Sequence, residues 1–213
     1  MLFEQLKIVF SETQAELNSA TKSFNWTNQD CYRKWLECTF NYVENSTRLL
    51  ALAGGVLPLD RTALSNRFIA HASEERGHDK LIINDLKALG FNARNSEPTY
   101  EMLCYSRSLY YWISPAGRPV GLIGWVLSLE GVAATVGIEV YKKTSAKFGP
   151  RATSFLKVHA EADPDHLEKA LEIASGLNPE EINIVCDALK MYSYQYQKVL
   201  QSIDTAVSKG KAA

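Results

Sequence analysis

The chain has 213 residues, of which 46% are hydrophobic, and a formal net charge of −1. That length can bury one sizeable core, and the composition excludes fibrous and intrinsically disordered classes. Its basic residues are scattered, which excludes the electrostatic footprint of a nucleic-acid or anionic-membrane binder, so the expected partner is a small molecule.

Periodicity near 3.6 residues runs almost throughout, without strand alternation, so the expectation is an all-α fold. A first helix is expected over 2–22. It begins MLFEQLKIVFSETQ, with Glu4 where an export signal would be basic, and this predicts a cytoplasmic protein. A second helix is expected over 29–53, ending at Gly54-Gly55, and a third over 60–89, stopped by Gly90 as a C′ residue. A fourth is expected over 98–112, before Pro115-Ala116-Gly117. The fifth runs from Pro119 to Gly149-Pro150, and the sixth over 151–176. The seventh begins at Asn178-Pro179, an N-cap followed by proline at N1. Seven helices on short loops predict one helical-bundle domain spanning 1–213. Cys31, Cys38, Cys104 and Cys186 show no metal-type spacing and read as reduced and structural.

From Pro119 to Tyr141 the fifth helix carries only Glu130 and Glu139 as charges. A membrane span would place Glu130 in mid-bilayer at a cost of roughly 2.5 to 3.5 kcal/mol, so a central helix of a bundle is the better reading. Glu130 is then buried, and a buried carboxylate must be paired, protonated or metal-bound. Glu139 falls on the other side of the helix and reads as a rim charge.

All four histidines fall in two copies of one pattern. His71, Glu75 and His78 on the third helix, and His159, Asp163 and His166 on the sixth, each read His-x3-carboxylate-x2-His. Offsets of four and seven return to one helix face, so each segment offers a half-site. Carboxylates mixed with imidazoles suit iron, manganese or zinc, and a bundle core lets facing helices converge on two ions. A single Glu-x-x-His is usually a solvated face; two copies flanking a buried carboxylate point to metal. Taken as Glu44, Glu75-x-x-His78, Glu130 and Asp163-x-x-His166, the order also resembles ferritin-like dimetal proteins, and leaves His71 and His159 outside the shell.

The runs EERGHDKLIINDLKALG from Glu74, SLEG from Ser128 and HAEADPDH from His159 resemble the heme-oxygenase-like diiron oxidases, relatives in fold of the TenA and PqqC proteins. The resemblance covers roughly residues 70–170 and accounts for His159, which the ferritin-like order does not. It implies a seven-helix heme-oxygenase-like bundle with metal ligands at Glu75, His78, Glu130, His159, Asp163 and His166. Glu74, His71 and Glu44 are substitutes for the first carboxylate. It also implies two ferrous ions, with manganese as an alternative occupant, no organic cofactor, and O2 activation to hydroxylate, desaturate or cleave a small substrate such as an amino acid or a fatty acid. A homodimer is an assembly it allows.

Asp85 is expected either to orient an imidazole or to pair at the surface, and Pro164 to kink the sixth helix or divide it. Trp125 is a candidate cavity wall, and Arg76, Lys142 and Lys143 are candidate partners for a substrate carboxylate. The competing functions are a TenA-like cofactor-free hydrolase working through a cysteine, a heme-binding protein, and a dimetal storage or sensing bundle.

Overall fold

The computed structural model describes residues 2–93 and 97–210, so the expected domain limits at Met1 and Ala213 lie outside it. The described residues form α1 (Leu2–Ser23), α2 (Gln29–Gly55), α3 (Thr62–Glu74), α4 (His78–Ala88), α5 (Tyr100–Ser108), α6 (Gly121–Phe148), α7 (Ser154–Ser175) and α8 (Pro179–Gly210), with no strand among them. The expected all-α bundle is present. Its third rod is divided: Gly77 adopts φ 94°, a left-handed conformation that ends α3 and lets His78 begin α4.

Local chemistry sets the helix ends. The Asn28 side chain accepts from the backbone of Asp30 and Cys31, capping α2. Asn178 and Glu181 exchange bonds of 3.0 Å, side chain to backbone, around Pro179 at N1, a capping box that starts α8. Gly90 stops α4 as expected; its N–H donates to Lys87 and that of Phe91 to Leu86, a Schellman ending. The expected fourth rod is α5 followed by a single 3-10 turn, Leu109–Tyr111.

The centre of the bundle is α6, packed against α7, α8 and α1. It is the one helix among the described residues long and apolar enough to cross a membrane, and 67% of that stretch is buried by the rest of the protein. Glycine lets its neighbours come close. A Cβ on Gly124 would stand 2.6 Å from the Val185 carbonyl of α8, and one on Gly131 would strike the Gln14 carboxamide. That carboxamide donates to the carbonyls of Leu127 and Ser128, tying α1 to mid-α6. Glu139 is exposed and pairs with Lys22 at 3.2 Å, the rim charge its phase predicts.

Asp85 does neither thing expected of it. It is fully buried and accepts from the Ser154 and Phe155 backbone N–H groups, each at 2.9 Å, and from the Ser154 hydroxyl at 2.6 Å. An α4 side chain therefore caps α7, supplying acceptors that the first turn of α7 lacks from its own N-cap residue, Thr153. Burial pushes the Asp85 carboxyl above its usual range, and these three donors offset part of that shift.

Candidate metal centre

Asp85 thus sets where α7 starts beside α4, and hence where the α7 histidines fall. α7 runs through Pro164 without interruption, so one helix carries His159, Asp163 and His166. Pro164 lies on the exposed side, and Asp163 and His166 are buried. The His159 Nδ1 lies 3.0 Å from the Phe155 carbonyl, which can only accept, so Nδ1 carries the proton and Nε2 is left as a ligand atom.

The other half-site comes from the junction of α3 and α4. The Glu75 backbone N–H bonds the His71 carbonyl and closes α3. Its carboxylate then bridges the two histidines of its own segment, with Oε2 3.1 Å from His78 Nδ1 and Oε1 3.8 Å from His71 Nε2. Glu74, the last residue of α3 and one turn after His71, also faces inward, 3.7 Å from His166 Nε2 and anchored by Arg67 at 2.9 Å and Lys169 at 3.3 Å.

Two groups of ligand atoms result, one of Glu75, His78 and His159 and one of His71, Glu74 and His166, each with all its atoms within 4.8 Å of one another. Glu130 of α6 stands between His71 and His166, its Oε1 3.0 Å from the Nε2 of the first and 3.8 Å from the Nδ1 of the second. Asp163 Oδ1 lies 3.4 Å from that same Nδ1. These are ion-pair distances without hydrogen-bond alignment: both Glu130 oxygens and His166 Nδ1 are buried with no hydrogen-bond partner.

The electrostatics fit crowded acids seeking cations. Burial pushes the Glu130 carboxyl up, and His71 offsets only part of that. Burial acts likewise on Glu75, but its bonds to His71 and His78 outweigh it and hold the carboxyl well below the usual range. Burial lowers His71, yet Glu130 and Glu75 prevail and raise it to about 9. Asp163 raises His166 against the opposing effect of burial. Four imidazoles and four carboxylates, with both Glu130 oxygens and His166 Nδ1 lacking a hydrogen-bond partner, are a donor set suited to divalent ions of iron or manganese type.

The sequence-predicted residues Glu75, His78, Glu130, His159, Asp163 and His166 are thus brought together. His71 and Glu74, expected only as substitutes for Glu75, stand beside it. Glu44 does not join them: it is exposed on α2, in an outer groove with Asn41 and Asn45. Its neighbours Tyr42, Val43 and Ser46 face inward, one helical step away. Arg76, Lys142 and Lys143 are exposed as well. Trp125 lines a cavity of about 120 Å³ that opens from the metal centre between α2, α6 and α7, as its position predicts. The inward position of Glu74, expected only as a substitute, follows from its i+3 spacing to His71 on α3.

A family model described as iron-containing redox enzyme matches residues 33–193. The chain belongs to that family. The match runs from within α2 to about the middle of α8 and so includes every ligand-type residue above. No curated protein matches the sequence. Among solved structures, a domain of unknown function with a heme oxygenase-like fold from Shewanella denitrificans OS217 is similar at 19% identity and TM-score 0.81, covering 97% of this chain and 94% of that one. A TenA homolog from Pseudomonas syringae pv. tomato is 14% identical with TM-score 0.79, covering 95% and 92%. A TenA homologue from P. horikoshii OT3 is 14% identical with TM-score 0.70, covering 95% and 98%. This member of the iron-containing redox family therefore has the heme-oxygenase-like, TenA-like fold.

Proposed function

We propose that this chain is a nonheme diiron oxidase or oxygenase that uses O2 to oxidise a small molecule. The observation that supports this most is the buried carboxylate of Glu130, unpartnered and flanked by two groups of His and Glu ligand atoms at the inner end of an apolar cavity. Glu75, His78 and His159 would hold one ion and His71 and His166 the other, with Glu130 and Asp163 completing the set. The chemistry that bound iron supplies is the reduction of O2 and the oxidising power turned on the substrate.

The protein's own contribution is positional. Glu75 fixes His78 through Nδ1 and the Phe155 carbonyl fixes His159 through Nδ1, which presents Nε2 of both rings inward. Asp85 holds the start of α7, and so the register of His159 and Asp163 against α4. Apolar walls exclude bulk water from the reacting end, which strengthens every charge interaction there.

A TenA-like hydrolase working through a cysteine is less well supported, because none of the four cysteines lines the cavity. Anaerobic ferrous loading, metal analysis and then oxygen exposure test the proposal. About two irons retained per chain and O2 uptake that depends on an organic substrate are expected. Retention of no metal, with O2 unchanged, would overturn it.

A further inference from the structure

The cavity has one charged end. α6 and α7 run antiparallel along it, with Gly137 against Ala160: a Cβ on Gly137 would lie 3.4 Å from the Ala160 Cα. Lys22, at the end of α1, pairs with Glu139, so Thr21 sits beside the Val140 turn, about 15 Å of helix rise beyond Glu130. Between these ends the wall is Val132, Val136, Val140, Leu156, Phe155 and Trp35.

Among the described residues, no lysine or arginine lines this space. The far wall also keeps few donors free: the Trp26 indole N–H donates to the Thr21 carbonyl at 2.7 Å and that of Trp35 to the Tyr196 hydroxyl at 2.9 Å. The Thr21 hydroxyl and, on the other side of Glu130 along α6, the Trp125 indole N–H are buried without partners, and both are neutral groups that cannot neutralise a carboxylate or an ammonium. Burying an unpaired charge there costs far more than apolar contact returns.

We infer that the substrate is an elongated molecule with an uncharged hydrocarbon body, its polar group at the metal end and no second charge at the Thr21 end. The fate of that polar group rests on the diiron reading; seating of the hydrocarbon body does not. Val136 and Val140 set the usable length, because their side chains line the run from Glu130 to Thr21.

Three of the four tryptophans, Trp26, Trp35 and Trp125, line the cavity, so intrinsic emission reports its filling. Metal-free and zinc-loaded protein are titrated with the straight-chain alcohols from butanol to dodecanol, and with dodecanedioate, which is charged at both ends. Affinity for the alcohols should climb about fourfold per methylene in both forms and then level off. The diacid should leave emission unchanged. Val136→Phe should move the levelling point to shorter alcohols while leaving the short ones bound, and Val140→Phe should do so at greater length, each variant checked for an unchanged helical spectrum. Saturable binding of the diacid, or an alcohol series without length dependence, would overturn the inference. Failure to take up zinc, with the alcohol series intact, would instead count against the dimetal reading alone.

Discussion

The two half-sites share one spacing and differ in geometry. In α7, His159, Asp163 and His166 ride a single unbroken helix. In the other, Gly77 turns the chain between Glu75 and His78, so His71 ends one helix and His78 begins the next. The rings then pair crosswise: His78 packs on His159 with centroids 4.8 Å apart, and His71 faces His166 at 5.7 Å. The first histidine of each segment meets the last of the other, and Glu130 stands against the His71–His166 pair. An i, i+4, i+7 spacing specifies one face only while the helix continues; Glu74 and Glu75, at i+3 and i+4 from His71, flank that face and both turn inward before the break.

The largest effect should come from the residue the halves share. Glu130→Ala should abolish retention of both ions through gel filtration, whereas His159→Ala should lower iron content by about one per chain, since it serves one half. Equal losses from the two variants would break the two-half description. Next is the helix start that carries the α7 half: Asp85→Ala leaves three donors unsatisfied and should cost about 2 kcal/mol, lowering the melting temperature by roughly 4 to 8 °C.

The broken half can be probed at its hinge. Gly77→Ala meets no neighbouring atom, so its cost is purely conformational, about 1 kcal/mol in a denaturant titration, with weaker metal retention as His78 moves relative to Glu75. Smallest of all, Glu44→Ala should change stability by less than about 0.5 kcal/mol and leave metal content untouched. A clear drop in metal content there would restore the ferritin-like ligand order that its exposure on α2 opposes.

Much of this was legible because helical punctuation is local. Gly90, Asn178-Pro179 and the apolar run of α6 all act through bonds or burial within a few turns, and the structure uses each as its chemistry predicts. Glu130 was legible too, since a lone acid amid apolar residues must find a partner. Glu44 was misread because it lies one residue from inward-facing Val43, and periodicity alone does not resolve a 100° step at the edge of a stripe. Asp85 was misread because its partners, Ser154 and Phe155, lie some seventy residues on, in a helix whose placement no local signal reports.

The order and type of the helices, the histidine–carboxylate spacing and the burial of Glu130 follow from the sequence by itself, because propensity, capping and hydrophobic phase act over a few residues. Which histidine meets which, how Glu74 and Glu75 divide their contacts, and the absence of lysine and arginine among the described residues along the cavity were decided only by the tertiary structure. These depend on how α3, α4, α6 and α7 cross, and that crossing is set by contacts between residues far apart in the chain: Asp85 on the start of α7, Gly137 against Ala160, Gly131 against Gln14.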